Sequence, residues 1–504
     1  MTFIDKFLNS ITMYRLVLYV LVALLAVAIF LCFFGLLPYS PVYLIFSTLF
    51  ILSICWGSNY AFAKWVGVTT NVESVYITAL ILALIIAPIA PNSWDGVTFL
   101  IFVSVGAMAS KYIFTIGRKH IFNPAAFGVA LGALVLGQSA TWWIDGNVAL
   151  LPFVLIGGLL IVRKLRRFDL VLTFSVIVLL TAILTAQGSD FVATVVQVFQ
   201  YASFLFFALV MLTEPLTMPP TRTSRILYGA IVGLLFTSII RLGSFYFTPE
   251  LALLVGNIFV YVVSPKGRFM LTLIEKNEIV AGTLEFVFTP DKPLTFRPGQ
   301  YLEWTLGHTP SDDRGNRRYF TIASSPTEST VRLGVRISES KSTFKRALKD
   351  MQIGDVVSAS SLAGDFVLPE DAKKKLVFIA GGIGITPFRS MVQYLMDTKD
   401  ARPVTLLYSN KTASEIAYKS IFDAATQTIG MKTVYALTAE PNPVPGTYAG
   451  KIDSTLIARE IPDYKDRTFY ISGPHGMVTA FEKILHNMGV SRFRIKTDYF
   501  PGFA

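Results

Sequence analysis

Seven residues in the C-terminal half, Gly381-Gly382-Ile383-Gly384-Ile385-Thr386-Pro387, have the spacing of a turn that could hold phosphates. They follow a continuous apolar run, Leu376-Val377-Phe378-Ile379-Ala380, and precede a helical pattern through Tyr394. Glycines at such a turn let bare backbone approach a pyrophosphate at a helix N-terminus. They also serve plain strand–helix packing, so the turn alone decides little. Three companions sharpen it. Pro298-Gly299-Gln300-Tyr301 precedes Arg317-Arg318-Tyr319-Phe320-Thr321, which ends an alternating segment rich in β-formers. Gly473-Pro474 closes a later strand, and Asp498-Tyr499-Phe500 lies in an aromatic tail. We read the Arg317–Thr321 stretch as the seat of a flavin.

A second chemistry sits in the apolar N-terminal half. Asn123-Pro124-Ala125-Ala126-Phe127-Gly128 opens one apolar run, and Thr213-Glu214-Pro215-Leu216-Thr217 precedes another. Each puts a proline and a polar residue where a helix starts. Such starts direct free N–H groups at a cavity and suit anionic or polar ligands. Proline in a first turn is also ordinary capping. The pair, at comparable places in two five-run halves, suggests an inverted repeat. Gln138-Ser139-Ala140-Thr141-Trp142-Trp143 ends the run that Asn123 opens. Its tryptophans read either as an interfacial belt or as walls for a stacked ring. Glu73, Glu214 and Asp190 are either ion-coupling carboxylates or caps and loop charges.

The residue inventory excludes other chemistries. The two cysteines, Cys32 and Cys55, cannot hold an iron–sulfur cluster alone, and no metal site is expected. Haem across a bilayer needs paired axial ligands, usually His, and of the four histidines only His120 lies near an apolar run. A ferric reductase or NADPH oxidase with membrane haem is therefore the weaker reading. A net charge of +11 reflects basic loops between apolar runs, so nucleic-acid binding is not expected.

These residues need elements to carry them. Apolar runs lie near 12–37, 40–56, 73–90, 97–112, 123–138, 147–162, 169–186, 192–212, 226–243 and 249–263. About ten could cross, or nearly cross, a core of about 30 Å. Lys111, Arg118, Lys119, Arg163, Lys164, Arg166, Arg167, Arg222, Arg225, Lys266 and Arg268 fall on one side of this arrangement. Asp95, Asp145, Asp190 and Glu250 fall on the other, with Arg241 against the trend. The positive-inside rule then places both termini in the cytoplasm and the chain in the plasma (inner) membrane, among lipid. Lys6 and Arg15 precede a first run too long for a cleaved signal, so it reads as a retained span. Ser264-Pro265-Lys266-Gly267-Arg268 is the seam. Short alternating strands from Met270 to about Leu368 predict a small antiparallel barrel. From Lys375, buried apolar strands alternate with helices, predicting a doubly wound α/β domain. The expected domains are 1–264, 265–368 and 369–504.

Two resemblances follow. Residues 73–263 resemble a family of membrane proteins found in sodium-translocating NADH:quinone reductase (Nqr) and in the Rnf complex. The resemblance is carried by Phe122-Asn123-Pro124-Ala125-Ala126-Phe127-Gly128, Thr213-Glu214-Pro215 and Arg225-Ile226-Leu227-Tyr228-Gly229-Ala230. It implies ten spans in two inverted halves and an FMN esterified to a threonine in a D-x-x-[ST]-G-A-[ST] motif. That threonine aligns with Thr141, beside Trp142; a second flavin, riboflavin or FMN, occurs in some members. Here Gln138 and Ser139 depart from the motif and the upstream Asp is missing. Covalent FMN at Thr141 and a non-covalent flavin there both stay open.

From Met270 onward the chain resembles the ferredoxin–NADP reductase family. Its R-x-[YF]-[ST] motif falls on Arg318, Phe320 and Thr321, with Tyr319 between. The resemblance implies that Arg318 pairs with the FAD pyrophosphate, Phe320 stacks on the isoalloxazine and Thr321 bonds near its N5. Lys341, Ser342 and Thr343 resemble a second phosphate contact. Gly382, Gly384, Thr386 and Pro387 would hold the nicotinamide dinucleotide, and Gly473, Pro474 and Met477 match the C-G-P-x-x-M piece. Ser472 replaces the usual Cys, and Asp498, near Phe500, replaces the usual Glu. Both keep hydrogen-bonding ability in the hydride-transfer region. Ser409, Asn410 and Lys411 follow the strand that reads the adenosine ribose, leaving NADH and NADPH both open.

The expectation is a single-chain membrane flavoprotein. Electrons from cytoplasmic NAD(P)H would pass through FAD to FMN-type flavin in the membrane, then to a quinone or an extracytoplasmic acceptor. The alternative is an ion-translocating, transporter-like redox pump for Na⁺ or H⁺.

Overall fold

The computed structural model describes every residue except 1–3, 5–6, 9–10, 68–71, 117–118, 187–190, 201–202, 238–239, 243–244, 265–266, 311, 313–315, 338–341, 441–444 and 499–504. The folded chain parts into two compact units between Lys266 and Gly267. Asp190, Lys341, Tyr499 and Phe500 lie outside the described residues.

In the first unit the apolar runs become helices, as segments that must satisfy their own backbone groups in lipid should. They are α1 Met13–Phe33, α2 Pro41–Val66, α3 Val72–Ile85, α4 Trp94–Ile113 and α5 Pro124–Leu136. After them come α6 Leu151–Leu165, α7 Phe168–Thr185, α8 Phe191–Gln200, α9 Arg222–Phe236 and α10 Pro249–Val263. Among the described residues, four (α1, α2, α4 and α7) are long and apolar enough to cross a membrane. The number is five if Phe191–Phe199 and Phe204–Met211 count as one bent span.

Three boundaries differ from expectation. Helix α2 continues to Val66 and ends where Gly67 turns left-handed at φ 70. The run 192–212 is not one helix: α8 stops at Gln200, and a helix resumes at Phe204 and becomes a π-turn over Phe207–Met211. A buried N–H freed at such a restart needs an acceptor, and Asp145 Oδ2 accepts a hydrogen bond from Phe206 N at 2.6 Å. Helix α9 begins at Arg222, earlier than its apolar run, because Thr221 and Ser224 cap each other reciprocally. It stops at Phe236, and part of the remaining run forms a short hairpin, β3 Arg241–Leu242 with β4 Phe245–Tyr246. A matching hairpin, β1 Thr115–Ile116 with β2 Lys119–His120, joins α4 to α5.

Small residues set the helix contacts. A Cβ on Gly128 of α5 would lie 2.4 Å from Val103 O of α4, and one on Gly132 2.8 Å from Phe99. In α9, a Cβ on Gly229 would lie 3.0 Å from Leu170 O of α7, and one on Gly233 3.1 Å from Ile177. Both are glycine-x-x-x-glycine faces, which let backbones approach in a membrane. Arg225 of α9 also pairs with Asp169 of α7 at 2.7 Å.

The second unit holds two six-stranded sheets. The antiparallel one contains β5 Phe269–Val280, β6 Thr283–Pro290, β7 Tyr301–Thr305, β8 Arg317–Thr321, β9 Val331–Arg336 and β10 Val356–Ala363. Their order is β8-β7-β10-β5-β6-β9. Its core is Phe286, Phe288, Leu302, Trp304 and Phe320, with Phe344 from helix α11 Thr343–Asp350. The parallel sheet contains β11 Leu376–Gly381, β12 Val404–Asn410, β13 Lys432–Leu437, β14 Thr447–Ala449, β15 Thr468–Ser472 and β16 Ile495–Asp498. Their order is β14-β13-β12-β11-β15-β16. Strand β11 is buried throughout because both faces are covered. Its alternate residues feed opposite layers. Phe378 meets Phe388 of helix α12 Thr386–Asp397 at 4.7 Å, while Val377 and Ile379 join Phe481 of helix α13 His475–Asn487.

At the amino-terminal ends of the central strands β11 and β15, Asp463 ties the two strand starts together. Partial burial works to raise its pKa, but hydrogen bonds from Arg467 Nε at 2.7 Å and Lys375 Nζ at 2.8 Å outweigh it and hold the carboxyl at about 2. A pKa below the unfolded value of about 3.9 stabilises fully above about pH 4, and that stability disappears as pH falls through the folded value. Asp463→Asn should therefore lower the thermal midpoint at pH 7, with the gap to wild type closing between pH 4 and pH 2. A gap that persists at pH 2 would refute the ion-pair origin.

Candidate functional site

The first site is built by β8 and α11. Alternation along β8 puts Arg318 and Phe320 on its buried face and leaves Tyr319 exposed, edge-on to Tyr301 at 5.6 Å. The strand is held against β7 with Arg318 opposite Trp304 and Thr321 opposite Tyr301. Arg318 donates from Nη2 to Asp312 Oδ1 at 2.7 Å, and its guanidinium lies 5.3 Å from the Phe344 ring centre. The other carboxylate oxygen, Asp312 Oδ2, accepts from Thr343 N at 3.1 Å. Thr343 Oγ1 in turn accepts from Asp312 N at 2.9 Å and lies 2.8 Å from His308 Nε2. Ser342 caps α11, accepting from Lys345 N.

One anionic group is thus held between a guanidinium fork and a helix N-terminus. That donor set fits phosphate oxygens. Phe320 lies two residues along the same strand face, about 7 Å away at normal strand rise, and its ring packs on Phe344 at 5.8 Å. The donors and the aromatic ring therefore fit a flavin dinucleotide laid along β8.

The second site lies where β11, β12 and β15 end. Gly382 adopts φ 52, and a short turn over Gly382–Ile385 leads into α12. A Cβ on Gly384 would lie 2.6 Å from Gly473 Cα and from Ser472 O, and one on Gly381 2.3 Å from Met477 Sδ. Gly381 and Gly384 thus pack against Gly473, Pro474 and Met477, and with Gly382, Thr386 and Pro387 of the same turn they form one cluster. It sits at the carboxyl ends of parallel strands, where connections diverge to either side of β11, the usual ligand position in open α/β sheets. Ser472 and Asp498 are register partners across β15 and β16, so the two departures from the family pattern are neighbours. Ser409 and Asn410 end β12, with Lys411 exposed just beyond. Tyr408 donates to Gly382 O at 3.1 Å, tying this strand to the turn.

The four membrane residues separate into two clusters. Asn123 caps α5 by accepting from Ala126 N and donates from Nδ2 to Glu214 Oε2 at 2.8 Å. The same oxygen accepts from Thr217 Oγ1 at 3.0 Å, and His120 Nε2 lies 3.5 Å from Glu214 Oε1. Asn257 of α10 accepts from Asn123 N at 2.8 Å. A cavity of about 40 Å³ opens here, lined by Tyr14, Ser74, Thr78, Asn123, Thr213 and Glu214 among others. The two helix starts singled out by sequence thus face one space.

Thr141 and Trp142 lie beyond the other end of α5, about 20 Å away at 1.5 Å per residue. Thr141 is exposed and its hydroxyl donates to Ile85 O at 3.3 Å. Neither tryptophan forms an outward belt. Trp142 is buried, packs on Phe207 and donates from Nε1 to Glu250 Oε1 at 2.7 Å. Trp143 is buried against Tyr39 and donates to Ala83 O. Each indole N–H needs a buried acceptor, and these acceptors draw the rings inward.

Sequence reasoning missed Asp312, Glu328 and Arg389. Glu328, in the loop after β8, takes both terminal nitrogens of Arg389 on α12. No local pattern marks a pair 61 residues apart.

Comparison with known proteins agrees with these two halves. Residues 378–483 match the family model "Oxidoreductase NAD-binding domain", and residues 144–265 match "NQR2, RnfD, RnfE family". A flavohemoprotein of Oceanobacillus iheyensis is 27% identical over 223 residues, covering 43% of this chain and 54% of that protein. A flavohemoprotein of Deinococcus radiodurans is 29% identical over 210 residues, covering 41% and 51%. The chain spans about half the length of these curated relatives. Among solved structures, Amycolatopsis cytochrome P450 reductase GcoB shares 24% identity with a TM-score of 0.43, over 47% of this chain and 71% of that one. The chain thus joins a segment that matches the NQR2, RnfD, RnfE family to one that matches an oxidoreductase NAD-binding domain.

Proposed function

We propose that this chain is a single-chain, NAD(P)H-dependent membrane flavoprotein that passes electrons from cytoplasmic nucleotide to flavin in its membrane half. The final acceptor is a quinone or an acceptor on the outer side. The observation that carries this reading is the Asp312 carboxylate held between Arg318 and Thr343 N, an anion seat beside a strand-borne aromatic ring. FAD, when bound there, supplies the conversion of a two-electron donor to single-electron output. Arg318 and Thr343 would hold its diphosphate, Phe320 its ring, and Thr321 a ring-edge hydrogen bond. The glycine crevice would admit the nucleotide phosphates, and Ser472 with Asp498 would orient the nicotinamide.

In the membrane half we assign a flavin to the Thr141 end and a second flavin, riboflavin or FMN, beside Asn123 and Glu214, where the cavity of about 40 Å³ would have to widen to admit a ring. Two ligands near opposite ends of α5 would shorten each transfer across a core of about 30 Å. Ten spans in two inverted halves are supported by matching architecture, and cytoplasmic termini by the basic loops on one side. Helix α4 packs on α2 and α5, while α9 packs on α7 and α10, and a short hairpin joins α4 to α5 as another joins α9 to α10. The antiparallel sheet is read as a barrel because Ala323 N donates to Arg332 O at 2.8 Å, linking the end of β8 to β9.

The test traps NADH or NADPH inside right-side-out proteoliposomes and assays reduction of an impermeant acceptor outside. Reduction outside is expected; full quinone reduction with none outside would rule out electron export. Flavin content should exceed one per chain. Thr141→Ala should lose membrane flavin, and any flavin fluorescence that the wild type retains on a denaturing gel should vanish in this variant. Fluorescence that survives the substitution would place the attachment elsewhere.

A second reading, a Na⁺ or H⁺ redox pump, is favoured by one observation. Glu214 meets Asn123, Thr217 and His120 at the polar cavity. Turnover that is independent of sodium and of an imposed proton gradient would remove it.

A further inference from the structure

Of the contacts that join the two sheets of the second unit, one cluster lies next to the glycine turn. Helix α12 begins with Thr386 immediately after the turn, and its first turn carries Arg389 and Ser390. Arg389 is 5% exposed. Both its terminal nitrogens donate to the Glu328 carboxylate, Nη2 to Oε1 at 3.0 Å and Nη1 to Oε2. Nη1 also reaches Ala323 O at 3.2 Å, and Ser390 Oγ donates to Ser324 O at 2.6 Å. All three acceptors lie in the loop that directly follows β8, the strand bearing Arg318, Phe320 and Thr321.

Glu328 is itself fixed from its own side. Ser325 N donates to its Oε2 at 2.5 Å, and Arg332 Nε to its Oε1 at 3.1 Å. Arg332 continues to Glu285 Oε2 at 2.8 Å. A bidentate guanidinium–carboxylate pair fixes orientation as well as distance.

A bare strand position completes the contact. Gly334 of β9 faces α12 without a side chain. A Cβ there would lie 2.6 Å from Tyr418 Oη and 2.9 Å from Thr386 Cγ2. The first residue of α12 therefore rests against the backbone of the antiparallel sheet.

We propose that Glu328 and Arg389 are positioning residues for hydride transfer, a proposal that rests on the FAD/NAD(P)H reading above. Neither residue is among those assigned above to the flavin or the nucleotide. The pair locks the helix that presents the nucleotide turn onto the loop that continues the flavin strand, and so sets the gap between the two rings. In the reaction one hydride, carrying two electrons, leaves the dihydronicotinamide carbon and bonds to a flavin ring nitrogen, and a solvent proton completes the reduced flavin. Such a transfer depends steeply on approach geometry, and a misplacement of about 1 Å can cost about 10²-fold. The chain uses a buried ion pair for this join because a sliding apolar contact would not fix the register of α12 against the loop.

The test compares full-length wild type, Glu328→Gln, Glu328→Asp, Arg389→Gln and the Glu328→Gln/Arg389→Gln double variant in detergent. FAD content, NAD⁺ affinity and amide hydrogen exchange of residues 323–328 and 386–390 are measured beside stopped-flow flavin reduction by 4-deuterated and ordinary NADH. Glu328→Gln and Arg389→Gln should each slow flavin reduction by about 10²-fold, with FAD content and NAD⁺ affinity within about two-fold of wild type. Exchange in both segments should rise. The double variant should be no slower than either single one, and Glu328→Asp should recover part of the rate. Unchanged reduction rates in FAD-loaded variants, or losses that track FAD content alone, overturn the proposal. Wild type that neither NADH nor NADPH reduces would instead overturn the reductase reading on which it rests.

Discussion

Arg318→Ala is expected to leave the purified protein nearly free of FAD. The guanidinium is 9% exposed and makes a 2.7 Å contact to a carboxylate that occupies the anion seat. A charge-assisted hydrogen bond contributes about 1.5–3 kcal/mol, and a diphosphate would draw on the fork at least twice. Removing it should weaken FAD binding by about 10²- to 10³-fold, from two such bonds lost at the low end of that range. The variant also strands Asp312 beside Thr343 N with no cation opposite, and a buried charge left alone is strongly unfavourable. Arg318→Lys should fall between, because an ammonium keeps the charge but not the planar fork. Asp312→Asn is the informative control. The same carboxylate that marks the seat must leave when phosphate arrives, so neutralising it should tighten FAD binding. Titration of deflavinated protein with FAD, followed by flavin fluorescence, measures all three. Near-normal FAD affinity in Arg318→Ala would place the diphosphate elsewhere and take the anion seat out of the argument.

What could be read from sequence divides along a physical line. Local periodicity was legible: Leu376–Ala380 is a buried parallel strand, and the apolar runs carry helices. The glycines of the turn were legible because only a bare backbone allows the approach they make. The break between Gln200 and Phe204 was not, since that stretch has neither proline nor glycine. Its cause is tertiary, with Asp145 arriving from 61 residues away to cap the restart. Asn123 and Glu214 were each visible as polar helix starts, but their 2.8 Å meeting depends on how distant helices pack. Trp142 illustrates the opposite case. Two tryptophans at a run end suit a belt or a stacking wall, and only the distant carboxylate of Glu250 turns Trp142 into a core residue. Polar partners far apart in sequence leave no periodic trace, and most of the candidate chemistry is made of them.

Gly384→Ala should abolish nucleotide use while sparing the flavin. The added methyl would sit 2.6 Å from Gly473 Cα, Gly473 N and Ser472 O, all of them backbone or backbone-fixed atoms that no rotamer change can withdraw. Either the turn after β11 or the end of β15 must move. Overpacking of this kind typically costs about 1–3 kcal/mol of stability, which a unit with two large apolar cores can absorb. The functional cost is larger, because the displaced segments are the ones that would cradle the nucleotide phosphates and place Ser472. A shift of about 1 Å there predicts a loss of about 10²-fold in the rate of flavin reduction, together with weaker NAD⁺ binding. FAD content should stay normal, because Arg318, Phe320 and Thr343 belong to the antiparallel sheet and its helix. This separates the variant from Arg318→Ala, which should lose FAD first and nucleotide-driven reduction only as a consequence. Flavin reduction by dithionite should be unimpaired in Gly384→Ala, since it bypasses the crevice. If NADH or NADPH reduces the variant at the wild-type rate, the glycine contact between β11 and β15 is packing alone, and the nucleotide must bind elsewhere.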